Sequence, residues 1–184
     1  FMQARTISGA ALAVTRNSKL LFARGYTYTD DPQDSVVQPT TLFRIASISK
    51  PITAVAILRL VQEGRLDLAA KVTDLLTLTP PAGQTPDARL PQITVRRLLQ
   101  HLGGWNRDSA FDPMFRDRTI ASALGATLPI QKSHIITYMT GQPLQHTPGT
   151  TYAYSNYGYC LLGQIIEKVT GQSYSAFVNQ QIFA

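Results

Sequence analysis

Two short apolar runs open the chain, Gly-Ala-Ala-Leu-Ala-Val-Thr over residues 9–15 and Leu-Leu-Phe-Ala-Arg-Gly-Tyr over 20–26. Asn17-Ser18-Lys19 stands between them, which predicts a β-hairpin. Residues 29–40, with Asp30-Asp31-Pro32 and Gln38-Pro39, read as a loop. Helical patterns follow. Over residues 47–63, Pro51 suits a first turn, where its missing N–H costs nothing, and Gly64 suits the position after the last turn. Ile52, Val55, Ala56, Leu58, Leu60 and Val61 leave that helix apolar on most faces, which predicts burial. Pro80-Pro81, Gly83, Pro86 and Pro91 mark residues 79–91 as another loop. Thr94 is placed to cap a short helix running through His101, closed by Gly103-Gly104. Residues 106–130 mix turn signals and have no clear period, and 131–140 read as a helix. Leu161, Leu162, Ile165, Ile166 and Val169 recur at helical spacing within 155–170, with Ser155 or Asn156 to cap and Gly171 to close. A last helix is expected over 173–183. A lone hairpin needs more strands to be stable, so the chain reads as incomplete at its C-terminal end.

Composition narrows the class. The 184 residues are 44% hydrophobic and 15% charged, which describes a globular chain long enough for its own core. No apolar run approaches the ~18 residues of a membrane helix. Phe1-Met2-Gln3-Ala4-Arg5 shows no signal peptide, an absence that a cleaved signal would share. Cys160 is the single cysteine, which excludes an internal disulfide framework and a cysteine-rich zinc site. The net charge is +6, but the 17 Lys and Arg residues are scattered and Arg96-Arg97 is the only adjacent pair. A nucleic-acid groove needs a basic stripe interleaved with aromatics, so nucleic acid is not an expected partner.

The chain has no Gly-x-Ser-x-Gly elbow, no Gly-x-x-x-x-Gly-Lys phosphate loop and no Gly-x-Gly-x-x-Gly fingerprint. His101, His134 and His146 lack metal-ligand spacing. What does occur is Ser47-Ile48-Ser49-Lys50, a Ser-x-x-Lys at the start of the first helix. Three residues are nearly one turn, so the Ser47 and Lys50 side chains share a face. A serine hydroxyl becomes a good nucleophile only when a neighbour takes its proton, and a lysine serves when burial or positive potential depresses its pKa. A helix N-terminus supplies such potential and also favours a developing oxyanion. Tyr154-Ser155-Asn156 gives a Tyr-x-Asn at the start of the later helix. A phenol beside an ammonium is stabilised as phenolate and can accept a serine proton, then return it to a leaving group. The asparagine amide, both donor and acceptor, can orient the lysine and bind a carbonyl. Either pattern alone recurs by chance; both together, each at a helix start, are more specific.

The flanks then resemble a known family. Phe43-Arg44-Ile45-Ala46-Ser47-Ile48-Ser49-Lys50-Pro51-Ile52-Thr53-Ala54 resembles the first motif of the penicillin-recognising serine hydrolases, and Leu60 to Leu68 resembles its continuation. Leu98-Leu99-Gln100-His101-Leu102-Gly103-Gly104 is similar to that family's Leu-Leu-x-His-Thr-Ser-Gly landmark, departing at Leu102 and Gly103. Pro148 to Gly158 resembles the second motif with its lead-in. The nearest branch is the class C β-lactamase group, with its D-aminopeptidases, D-alanyl-D-alanine carboxypeptidases and family VIII esterases. The third motif, Lys-Thr-Gly or His-x-Gly on a strand that supplies one oxyanion N–H and normally follows well beyond the second motif, is not found after it in this sequence. The resemblance therefore implies the N-terminal part of one catalytic domain of an α+β fold, a helical region beside an antiparallel sheet represented only by its first hairpin.

The resemblance implies a serine hydrolase working through an acyl-enzyme, with Ser47 as nucleophile, Lys50 and Tyr154 sharing the base role and Asn156 holding Lys50 and the substrate. Expected substrates are a β-lactam, a D-amino-acid peptide or a carboxylic ester, with the ester favoured. The positive charge fits a carboxylate-bearing molecule. The alternative is a non-catalytic penicillin-binding-like protein or an inactive fragment. No cofactor or metal is implied, and a complementary C-terminal segment is a candidate partner. The setting favoured is bacterial periplasmic or secreted over cytoplasmic. His101 is expected to hold structure, His134 and His146 to lie at the surface, and Cys160 to be a small core residue. Ser49 and Ser155 are expected to point away from the site. Trp105 and Phe111 are open to two readings, cleft lining or loop packing.

Overall fold

A computed structural model of the chain describes residues 1–28 and 36–183. It falls into two compact units, one ending at Ala46 and the other beginning at Ser47. The first unit is built on the predicted hairpin, β1 (Gly9–Arg16) paired antiparallel with β2 (Lys19–Thr27). Asn17 and Ser18 both adopt left-handed backbone, φ 51° and 60°. That pair makes the two-residue turn whose twist matches paired strands, and Lys19 already belongs to β2. Leu12 faces Arg24 and Val14 faces Phe22, with an irregularity between Val14 and Thr15. Gly25 has no room for a side chain, because a Cβ there runs into the Val37 carbonyl. The Val37 N–H donates to Thr27 Oγ1 at 2.8 Å, and Thr41 N–H closes a turn on the Gln38 carbonyl around Pro39. The Asp30-Asp31-Pro32 part of the predicted loop lies outside the described residues.

The second unit is helical. Its elements are α1 (Ser49–Gln62), α2 (Val72–Leu75), α3 (Val95–Leu99), α4 (Asp117–Leu124), α5 (Lys132–Thr140), α6 (Asn156–Thr170) and α7 (Tyr174–Gln181). α6 is the axis. Its Leu161, Leu162, Ile165 and Ile166 are fully buried, and it packs on α1, α3 and α7. Ala56, Ile57 and Leu60 of α1, Val95 and Leu98 of α3 and Phe177 of α7 complete that core. The α6 ends follow the predicted signals. Ser155 Oγ accepts the Gly158 N–H at 3.0 Å, and Gly171 is left-handed just past the last turn. The predicted loop 79–91 is pinned by Asp87, whose carboxylate takes both Arg89 nitrogens and the Leu144 N–H. Arg89 beside it holds the Asp87 carboxyl well below the usual carboxylate range.

Several boundaries differ from expectation. Ser47 sits in a 3-10 turn, Ala46–Ile48, and the α-helix begins only at Ser49. α3 stops at Leu99, because His101 turns left-handed at φ 59°. The unassigned stretch 106–130 contains a 3-10 turn, Pro113–Phe115, and α4. α2 had no sequence signal. Val55 and Leu58 of α1, expected to be buried, are 51% and 49% exposed. With Ile48, at 66% in the turn just ahead of α1, they form an apolar stripe.

Two stability outcomes follow from the strained backbone. Replacing Ser18 by Gly removes the left-handed cost of a side chain and should raise stability by about 0.5–1 kcal/mol, read as an upward shift of the thermal midpoint. Gly104 has φ 102°, and a Cβ there would stand 2.6 Å from the His146 carbonyl oxygen. Gly104→Ala should therefore destabilise the helical unit by about 2 kcal/mol or more in urea titration.

Candidate active site

Four side chains singled out by the sequence converge at the N-terminal ends of α1 and α6. Ser47 is exposed just ahead of α1, and Lys50 lies in the first turn of that helix. The spacing of nearly one turn brings Lys50 Nζ to 3.3 Å from Ser47 Oγ, to which it donates. Tyr154 lies on the extended approach to α6 and Asn156 is the first residue of that helix. The Tyr154 hydroxyl donates to Ser47 Oγ at 2.7 Å. Lys50 Nζ donates to Asn156 Oδ1 at 2.6 Å. The serine oxygen thus faces a phenol and an ammonium together.

Asp112 and Arg107, which sequence reasoning passed over, complete the cluster. Asn156 Nδ2 donates to Asp112 Oδ2 at 2.6 Å. Asp112 Oδ1 accepts the Met114 N–H at 3.1 Å, capping the 3-10 turn. Arg107 lies 3.6 Å from Asp112 Oδ2, and its guanidinium stands 4.6 Å from the centre of the Tyr154 ring. Both residues lie in the stretch without a period, and no sequence signal marks them.

Electrostatics separate the tyrosines of the Tyr-rich patch. Burial pushes the hydroxyls of Tyr157 and Tyr159 up. At Tyr154 burial also works upward, but the Lys50 ammonium, the bond with Ser47 and the Arg107 charge outweigh it and bring the phenol below its ordinary value near 10. Lys50 Nζ lies over two rings of this patch, 4.7 Å from the Tyr154 centre and 5.7 Å from that of Tyr159. Tyr157 packs edge-on against Trp105, and Tyr159 donates to the Leu99 carbonyl. Tyr154 is therefore the phenol suited to proton transfer.

His101 lies beside the site without touching Ser47 Oγ through a hydrogen bond. Its Nδ1 accepts the Ser155 N–H at 3.1 Å, and its carbonyl accepts the Ala153 N–H at 3.0 Å. Its ring stacks on Tyr154 at 4.6 Å. Burial, then the Lys50 and Arg107 charges, lower its pKa, which favours the neutral ring that the bond from Ser155 N–H requires. His134 and His146, expected at the surface, are half-buried: His134 Nδ1 accepts the Gln131 N–H ahead of α5, and His146 Nε2 pairs with Asn106 Nδ2. Trp105 is a core residue and the half-buried Phe111 packs on Tyr138. Cys160 is half-buried against the core, and burial pushes its thiol up to about 11. Ser155 is taken up as the α6 cap. A groove of about 830 Å³, lined by Lys71, Arg96 and Arg97 among others, shares no residue with this cluster.

Among the described residues no group of three His, Cys, Asp or Glu side chains is placed to hold a metal ion. No described helix is long and apolar enough to cross a membrane.

Known proteins are similar to this chain over nearly its whole length. Protein flp of Staphylococcus aureus (strain NCTC 8325 / PS 47) is 33% identical over 179 residues, which are 97% of this chain and 33% of that protein. Esterase EstB of Burkholderia gladioli is 31% identical over 97% of this chain and 45% of its own length. The structure of the octameric penicillin-binding protein homologue from Pyrococcus abyssi superposes with a TM-score of 0.76 at 29% identity, covering 99% of this chain and 40% of that one. The D-amino acid amidase of Ochrobactrum anthropi SV3, solved with L-phenylalanine, gives a TM-score of 0.73 at 28% identity over 99% of this chain and 46% of that one. The chain thus spans a third to just under half of the curated relatives it matches. The Beta-lactamase family description matches residues 1–184. The chain accordingly has the β-lactamase/transpeptidase-like fold and belongs to the Beta-lactamase family.

Proposed function

We propose that this chain carries the nucleophile, base and orienting amide of a serine hydrolase that works through an acyl-enzyme on an ester or amide. The observation that carries the reading is the placement of Ser47 Oγ, 2.7 Å from the Tyr154 hydroxyl and 3.3 Å from Lys50 Nζ. That is hydrogen-bond reach for proton transfer. Ser47 Oγ attacks the substrate carbonyl carbon, and its proton passes to the Tyr154 oxygen once that phenol has given up its own, a form that the Lys50 and Arg107 charges favour. Tyr154 then delivers that proton to the departing oxygen or nitrogen, leaving an ester on Ser47. A water molecule attacks this ester, giving up its proton to Tyr154, and Ser47 leaves with that proton restored. Lys50 shares in the base role as the ammonium that stabilises the Tyr154 phenolate and bonds to Ser47 Oγ, and Asn156 holds Lys50 and presents its amide to the substrate.

The ester is the favoured substrate, in keeping with the esterase among the relatives, and a D-amino-acid amide or a β-lactam is the competing choice. A carboxylate on the substrate suits the positive charges of Lys50 and Arg107. The Ser47 N–H serves as one oxyanion donor. The second, with the third motif, is assigned to a complementary C-terminal segment. One missing oxyanion donor costs about 10²–10³ in rate, so full activity needs that segment.

Intact-mass measurement of the full-length protein with a p-nitrophenyl ester and with a penicillin tests the reading. An added acyl mass is expected, absent in Ser47→Ala; the more transient adduct names the substrate class. No adduct on either reagent would leave a non-catalytic binding protein. A pH profile supplies a second check. The Arg107 charge lowers the Tyr154 pKa, so Arg107→Gln should raise it. The limb on which acylation speeds up with rising pH should then move to higher pH.

A further inference from the structure

An asparagine amide is nearly symmetric in shape, and only its partners decide which end is oxygen. At Asn156 both partners give the same answer. On one side stands Lys50 Nζ, 2.6 Å away, which can only donate. On the other stands the Asp112 carboxylate, 2.6 Å away, which when ionised can only accept. Asp112 is itself held in place. Its Oδ1 takes the Met114 N–H at 3.1 Å, Arg107 lies 3.6 Å from Oδ2, and its side chain is 14% exposed. Little water reaches this carboxylate to compete for the amide.

We propose that Asp112 is a positioning residue that locks the Asn156 amide with its oxygen toward Lys50, and through it holds the ammonium against Ser47. Turning the amide over would set an NH₂ group against an ammonium, donor against donor. Lys50 would lose its 2.6 Å acceptor and with it the hold that keeps Nζ beside Ser47 Oγ. Helix capping does not account for this arrangement, because the cap uses Oδ1 and the amide contact uses Oδ2. The effect on rate rests on the hydrolase reading above; the orientation of the amide does not.

The experiment separates the two. In the full-length protein, Asp112→Asn keeps an oxygen for the Met114 N–H but presents an NH₂ to the NH₂ of Asn156. It is expected to slow acylation by a p-nitrophenyl ester at saturation by about tenfold or more, with half-saturation within about twofold and an unchanged melting point. Asp112→Ser keeps a capping oxygen and removes the contact, so it should lose less than Asp112→Asn. Asp112→Asn acylating within about twofold of the natural protein would overturn the proposal, as would a loss equal in Asp112→Asn and Asp112→Ser.

Should the variants fail to fold, nuclear magnetic resonance of the natural protein decides. The Asn156 side-chain amide protons should exchange slowly and show a coupling across the hydrogen bond to the Asp112 carboxylate carbon. A freely exchanging amide overturns the positioning role whether or not the protein is acylated. A protected amide in a protein that takes no acyl group overturns the hydrolase reading and leaves the positioning role standing.

Discussion

The Lys50 ammonium joins two helices whose contacting residues lie 106 positions apart in the chain. A half-buried cation costs free energy unless hydrogen bonds replace its lost water. Lys50 finds Ser47 and Asn156 as acceptors and the rings of Tyr154 and Tyr159 as neighbours. Those partners exist only while the first turns of α1 and α6 stay side by side. The core keeps them so. Ala56, Ile57 and Leu60 of α1 and the buried face of α6 belong to one apolar cluster. A slip of one helical turn, ~5.4 Å, would carry Asn156 out of reach of Lys50. The packing that stabilises the domain and the geometry around Ser47 are therefore one constraint.

His101 extends that constraint to Tyr154. Its backbone carbonyl and ring nitrogen hold the N–H groups of Ala153 and Ser155, on either side of the tyrosine. A protonated imidazole would lose the second of these bonds, and burial with two nearby cations favours the neutral ring. A left-handed backbone at a histidine is uncommon, and here it turns the chain so that one residue grips both flanks. The ring that stacks on Tyr154 also limits where that phenol can swing. Placement of Tyr154 is thus mostly main-chain work.

What the sequence revealed depends on the range of the interactions. α6 was legible because Leu161, Leu162, Ile165 and Ile166 repeat at the helical period between a serine cap and a closing glycine, all local signals. The hairpin was legible from its turn residues. Ser47, Lys50, Tyr154 and Asn156 stood out because two short motifs carry a chemical logic of their own. Asp112 and Arg107 did not, since they matter through contacts with Asn156 and Tyr154 far along the chain. α4 was hidden because it offers Ile120 and Ala121 as its only buried residues, between stretches dense in turn formers. The exposure of Val55 and Leu58 was beyond periodicity altogether. An apolar helix face looks the same in sequence whether or not another element covers it.

That face has a further meaning. Ile48, at the head of the stripe, is the residue next to Ser47. Anything laid along α1 over Val55 and Leu58 ends beside that serine. Water leaving the apolar stripe and water leaving the hydroxyl are then displaced by one and the same body.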